Sequence, residues 1–400
     1  MSQTRMLRRD MLRIAAAAAA ICTSTMPRPS RAAALPGRRA LVLSGGGAHG
    51  AYEAGVIAGL VQSGELDSYD LICGTSIGTL NAMLIATGQG GAVRELWSTI
   101  AKANILRPKR QFAAFDRNRS NLARGVAALR FLYGAVRGHV TGLFDSTALH
   151  QLIARYVMLP SGSVRPFQRP LLWTATDLTS ARGVGFMREA VVAAPGRSLP
   201  TLADVTLIAT GLPAVSSVAD PDLVAALQAS TAIPGAFDPV TLPASAATYV
   251  DGGVLDNSPM YLAQYAGATD IDTVLLVRPV AGRQTLPNAL SIVEESFQIM
   301  RQRILNDAIV LALLQSDPAV RAAIRTAISR DSLGQQVPSS FNELFREERI
   351  PVTIRVLVPS RNLFGSGLDA SDQSIIDRNL DLGYGDFLQT GFRPISQPLD

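Results

Sequence analysis

A serine bracketed by glycines, a glycine-rich run and an aspartate followed by two glycines are the parts of this chain able to do chemistry. Gly74-Thr75-Ser76-Ile77-Gly78 fits the pattern G-x-S-x-G. A nucleophile on a sharp strand-to-helix turn needs neighbours without Cβ, so that strand and helix pack closely while the serine oxygen projects outward. The bland alternative is a glycine-rich turn with an ordinary serine. Gly45-Gly46-Gly47-Ala48-His49-Gly50 fits two patterns. G-x-G-x-x-G after a strand is the dinucleotide fingerprint, which wants an acid at the end of the next strand to hold a ribose hydroxyl. Asp67 and Asp70 lie at the right distance but precede that strand, and its end is taken by Ser76. The other use of the loop is electrostatic: successive glycine amides at a helix N-terminus form a partly positive nest for an oxyanion. That use is favoured over nucleotide binding.

A serine hydroxyl needs a base. In the α/β-hydrolase order the base is a late histidine, following nucleophile and acid. Here the histidines are His49, His139 and His150, and the 250 residues after the last contain none. His139 and His150 read as surface or cap residues. A carboxylate within hydrogen-bond reach can serve instead. Asp251, in Tyr249-Val250-Asp251-Gly252-Gly253, follows a short apolar run and precedes two glycines, which puts a carboxylate where the backbone turns tightly. A hairpin turn whose aspartate merely tolerates the bend reads equally well from this segment alone.

The elements that must position these residues are legible as apolar runs. Residues 40–44 and 69–73 read as short buried strands, each stopped by glycine. Tyr52, Val56, Ile57 and Leu60, and then Ile77, Leu80, Met83 and Leu84, fall at helical spacing. Strand, turn and helix twice in succession argue for a parallel sheet with helices on its faces. Residues 170–177, 271–277 and 352–358 also read as strands, and 289–315 as a long amphipathic helix. Residues 101–140 read as surface helix and loop, a candidate cap over the cleft, and 331–340 as a linker. There is no internal repeat.

At 400 residues, 48% apolar and 17% charged, the chain has the means for a large core. Its net charge of +5 invites a nucleic-acid reading. Six of the 37 basic residues but one of the 32 acidic ones lie in residues 1–34, so the remainder balances at 31 of each. No polyanion-binding face follows, and no nucleic-acid partner. The arginines between Arg107 and Arg137 read as a solvated face rather than one laid on anionic membrane. Residues 1–34 have the layout of an export signal: arginines, an apolar stretch from Ile14 to Ile21, and Ala32-Ala33-Ala34 as cleavage site. Arg8-Arg9 resembles a twin-arginine address without the usual preceding Ser or Thr. Export to the periplasm or beyond is the expectation. Cys22 falls in that leader, which leaves Cys73 alone and no intrachain disulfide. No stretch reads as a transmembrane helix.

Taken in order, G-G-G-x-x-G, G-T-S-I-G and D-G-G resemble the patatin-like phospholipases. Further stretches agree: Ala229-Ser230-Thr231-Ala232-Ile233-Pro234-Gly235-Ala236-Phe237 resembles the segment preceding the family's D-G-G motif. Asp251-Gly252-Gly253-Val254-Leu255-Asp256-Asn257-Ser258-Pro259 resembles its continuation, and Thr174-Ala175-Thr176-Asp177-Leu178 an internal strand. The resemblance runs from about residue 39 to 280, leaving 281–400 as a helical or α+β extension. It implies a three-layer α/β/α fold with a mainly parallel central sheet. It implies Ser76 as nucleophile, Asp251 as proton acceptor, and the loop of Gly45, Gly46, Gly47 and Ala48 as oxyanion hole. Gly74 and Gly78 would form the elbow, and Gly252 and Gly253 the aspartate loop. A lipid acyl ester is the implied substrate, with neither cofactor nor metal. One departure stands out: His49 occupies a position where many relatives carry Arg or Lys. A catalytically silent lipid-binding protein is the remaining rival, and it has no use for nucleophile, base and oxyanion glycines together.

Overall fold

Arg38–Leu43 (β1) and Leu71–Thr75 (β2) form the centre of the sheet, and their near-continuous apolar character is that of strands covered on both faces. The computed structural model describes residues 38–103, 105–115, 141–190, 215–242, 247–276, 352–367 and 370–395, with positions 309, 319, 320, 322 and 323. The leader 1–34, His139, the helix read at 289–315 and the linker at 331–340 fall outside the described residues, apart from position 309. Each central strand feeds a helix: β1 leads through the glycine loop to Gly50–Ser63 (α1), and β2 through Ser76 to Ile77–Ala86 (α2). Val93–Ala103 (α3) and Thr147–Val157 (α4) follow. Next come Leu171–Asp177 (β3), Arg182–Arg188 (β4), Val215–Ser217 (β5) and Leu223–Ser230 (α5). Val240–Thr241 (β6), Thr248–Asp251 (β7), Met260–Tyr265 (α6) and Ala268–Val274 (β8) complete the middle of the chain. The C-terminal part supplies Thr353–Leu357 (β9), Gln373–Thr390 (α7) and Arg393–Pro394 (β10).

The sheet runs β10-β9-β8-β1-β2-β3-β4-β5. From β9 to β3 all pairings are parallel, while β4 and β7 meet β3 antiparallel. The chain therefore has the mostly parallel three-layer architecture expected. Alternate residues of β1 face different layers: Leu41 and Leu43 pack with α1, α2, α3 and α7, whereas Ala40 and Val42 pack with α6. Two strands start and stop differently from the apolar runs that announce them. β2 begins after Tyr69 and Asp70, which turn back to bond the start of β1, and it continues to Thr75, directly before Ser76. β8 begins at Ala268, three residues before the expected run. The described part of 101–115 is less superficial than its arginines indicate, since Ile105 and Phe112 are buried. Among the described residues no helix is long and apolar enough to cross a membrane.

One ion cluster ties the C-terminal strand to the core. Asp272 on β8 is wholly buried and accepts from Arg39 Nη2 at 2.7 Å, Arg355 Nε at 2.6 Å and Tyr69 Oη at 2.8 Å. Three neighbouring segments thus converge on one carboxylate. Removing it strands two arginines against a buried pocket, which typically costs 3–5 kcal/mol. Asp272→Ala should lower unfolding free energy by about 3 kcal/mol in urea titration, and a loss under about 1 kcal/mol would show the cluster to be ornamental.

Candidate active site

Ser76 sits where β2 turns into α2, with φ at 54°; the only other described non-glycine residue with positive φ is Ala181. Such a conformation costs about 1–3 kcal/mol and persists only where its surroundings enforce it. The enforcement is visible. A Cβ on Gly78 would strike the Leu43 carbonyl, and one on Gly74 would lie 2.7 Å from both the Gly78 carbonyl oxygen and the Thr79 nitrogen. Strand and helix can therefore cross this closely only with glycine at both positions. The Ser76 N–H donates to Ser230 Oγ at 3.0 Å, and Ser230 Oγ lies 2.8 Å from Thr79 Oγ1. All three side chains are buried.

The carboxylate arrives by a separate route. β3 pairs with β2 up to Thr174↔Thr75, and at the next residue its partner is β7, through Ala175↔Asp251. The end of β2 and the end of β7 therefore meet head to head along one strand. Ser76 Oγ donates to Asp251 Oδ2 at 2.5 Å, and Asp251 Oδ1 accepts from the Gly253 N–H at 2.7 Å. The Asp251 backbone is pinned by its N–H to the Ala232 carbonyl and by Thr176 Oγ1 to its own carbonyl. Gly252 packs against Thr174, where a side chain would collide.

The glycine loop lies against the same serine: a Cβ on Gly45 would sit 3.1 Å from Ser76 Cβ. Its four candidate donors are not equivalent. The Gly45 N–H donates to the Asn257 carbonyl at 3.0 Å, while Asn257 Nδ2 returns a bond to the Gly45 carbonyl. The Ala48 N–H donates to the Gly367 carbonyl at 2.8 Å. Among the described residues, the Gly46 and Gly47 amides meet no hydrogen-bond acceptor. Behind the loop, wholly buried Glu53 accepts from the Ser44 N–H at 2.6 Å and from Asn81 Nδ2 at 3.0 Å. Burial pushes the Glu53 carboxyl well above its ordinary range despite those two donors. Ser44 Oγ donates to the Val274 carbonyl and lies 2.5 Å from Ser258 Oγ.

Other singled-out residues fall elsewhere. Asp67 and Asp70 lie at the opposite end of the strands from the loop, paired with Arg169 and with the Arg39 amide. A ribose hydroxyl held at the glycine loop would be beyond their reach, which removes the acid that nucleotide binding requires. His150 is an exposed residue of α4, its Nδ1 2.8 Å from Gln228 Oε1. His49 is buried, with Nε2 3.1 Å from the Gly365 carbonyl. Ser230, Asn257 and Gly367 had no sequence signal as site residues, because their contacts span 154, 212 and over 300 positions, and Glu53, only nine residues from Ser44, stands within α1 with no motif around it. An apolar cleft of about 40 Å³ opens beside Ser76, lined by Ile77, Leu80, Trp97, Ile100 and Phe237.

The aspartate loop carries a second acid. Burial pushes Asp256 up to about 7, outweighing the Ser258 amide and the Tyr261 hydroxyl that bond it. The folded state thus holds this proton more tightly than the unfolded chain. The resulting stability is complete below about pH 4 and is lost as pH rises through about 7. Asp256→Asn keeps an acceptor for the Ser258 amide but cannot ionise. It should flatten the decline of Tm between pH 5 and 8 in thermal melts, and an unchanged decline would contradict this assignment.

The profile of the patatin-like phospholipase family matches residues 41–263. Among solved structures, VipD from Legionella pneumophila aligns over 93% of this chain and 72% of its own, at 13% identity and a TM-score of 0.35. Human GIVD cytosolic phospholipase A2 aligns over 67% of this chain and 43% of its own, at 13% identity and a TM-score of 0.28. ExoU in its complex with SpcU, from Pseudomonas aeruginosa, aligns over 73% and 57%, at 19% identity and a TM-score of 0.28. The chain thus spans less than two thirds of the latter two. Comparison with curated proteins gives no match. With a family match over more than half its length, and with the serine elbow, glycine loop and aspartate loop meeting at one point, this chain belongs to the patatin-like phospholipase family.

Proposed function

We propose that the protein is a serine hydrolase of lipid acyl esters, with Ser76 as nucleophile and Asp251 as its base. The observation that carries this reading is the 2.5 Å bond from Ser76 Oγ to Asp251 Oδ2 beside the glycine loop. As Ser76 Oγ attacks the ester carbonyl carbon, its proton passes to Asp251. Negative charge moves to the carbonyl oxygen, and the Gly46 and Gly47 amides at the start of α1 are the loop donors that no acceptor among the described residues occupies. Collapse of the intermediate breaks the bond to the alcohol, which leaves with the proton from Asp251. Water then attacks the acyl-serine, giving its proton to Asp251; the bond between the acyl carbon and Oγ breaks, Asp251 returns the proton to Ser76 Oγ, and the fatty acid leaves. Histidine has no part in this cycle. The apolar cleft supports an acyl chain as the group retained on the serine, and the charge layout of residues 1–34 supports export.

The serine's own support follows from the same reading. Ser230 satisfies a buried N–H on a strained residue, so Ser230→Ala leaves that donor unpaired and lets the elbow relax. Displacing Oγ from Asp251 by a fraction of an ångström to 1 Å should cost up to about a hundredfold in kcat, with KM little changed; a KM effect alone would assign Ser230 to the substrate instead.

The direct test is hydrolysis of p-nitrophenyl butyrate by protein lacking residues 1–34. Ser76→Ala and Asp251→Asn should each reduce the rate by about a thousandfold or more while leaving the folded state intact by circular dichroism. Wild-type rates in both variants would remove the dyad.

A further inference from the structure

The glycine loop is completed by a part of the chain that begins about a hundred residues beyond the family-matched span. The turn after β9 carries Gly365 and Gly367, and Ala370 stands beyond two residues outside the described ones. Gly47 has φ of 58°, and the place where its Cβ would stand is filled by the Gly367 carbonyl, so two backbones are in direct contact here. That carbonyl takes the Ala48 N–H, and the Gly365 carbonyl takes a bond from His49 Nε2. The turn is itself held from behind: buried Asn379 of α7 accepts from the Phe364 N–H at 2.8 Å and donates to the Phe364 carbonyl at 3.0 Å. Gly367 and Ala370 then join Ser76 in lining the apolar cleft.

We infer that this C-terminal turn is the selectivity wall of the active site, and that Ala370 sets how much acyl chain the cleft admits. The inference rests on the ester-hydrolase reading and adds the residue that grades its substrates. The cleft is narrow: about 40 Å³ of it is open to the centre of a water-sized sphere, a few times the roughly 10–15 Å³ that one water needs on that measure. In so small a space one side chain decides the outcome. Ala370 is buried and has the smallest side chain that still presents a carbon to the cleft. A larger residue there removes room that methylenes would fill, and each buried methylene carries roughly a fourfold gain in binding. Because the turn is also bonded to Ala48 and His49, the wall is fixed relative to the oxyanion loop. It therefore discriminates by length rather than by yielding.

The test compares Ala370→Phe and Ala370→Gly with the wild type on p-nitrophenyl acetate, butyrate and octanoate. The ratio of kcat/KM for octanoate over acetate should fall at least about tenfold with Phe, the equivalent of about two lost methylenes. It should rise with Gly. A parallel measurement needs no turnover: binding of dansyl-undecanoate to Ser76→Ala should weaken about tenfold when Ala370→Phe is added. If the Phe variant fails to fold, the Gly variant decides through the opposite shift. Ratios and affinities within about twofold of the parent overturn the wall. No hydrolysis of any of the three esters by the wild type would instead overturn the ester-hydrolase reading, and the dansyl-undecanoate titration would still decide the wall.

Discussion

One strand holds the site together. β3 pairs with β2 as far as Thr174 and with β7 from Ala175 onward, so the last residues of two strands from distant parts of the chain abut across a single peptide step. Side-chain direction alternates along a strand, and a one-residue slip of β7 on β3 would send Asp251 to the other face of the sheet. The 2.5 Å contact between Ser76 and Asp251 is therefore a statement about register before it is one about chemistry. The backbone clamps on Asp251, from Thr176 and Ala232, hold that register where a four-residue strand alone would be a weak guarantee.

Around that junction the molecule accumulates buried polar groups, each with a partner that fixes a backbone. Ser230 holds the nucleophile's N–H, Glu53 holds the Ser44 N–H, and Asn257 brackets Gly45 from both sides. Such groups are expensive to bury unless satisfied, and once satisfied they favour a single arrangement. Asn257 and Gly367 engage the outer amides of the glycine loop, those of Gly45 and Ala48, and the proposed reaction uses the two between them. Preorganised donors of this kind need no rearrangement as charge develops.

Much of this was legible in the sequence. Strands buried on both faces announce themselves as continuous apolar runs, and β1, β2, β3 and β9 lie within one or two residues of theirs. Ser76 was readable as an elbow because a tight turn and a close backbone approach demand glycine, and glycine marks its own position; Asp251 was set apart from an ordinary hairpin turn only by the resemblance of the ordered motifs. The elements that escaped are those whose meaning lies in a partner far along the chain. Nothing local marks Ser230 as a support for Ser76, or Gly367 as the neighbour of Gly47. The unequal roles of the four loop residues escaped for the same reason, since Asn257 and Gly367 decide which amides are already engaged. Asp70 was readable as a poor ribose ligand because it precedes its strand, but its bond to the Arg39 amide became evident only in three dimensions.

The account is tested most directly by a crystal structure of the protein after reaction with a small alkyl fluorophosphonate, whose tetrahedral adduct mimics the charged intermediate. The predicted result is phosphorus bonded to Ser76 Oγ, with the phosphonyl oxygen within about 3 Å of the Gly46 and Gly47 nitrogens and Asp251 still beside the serine. An adduct on another residue, or a phosphonyl oxygen turned away from those two amides, would contradict it.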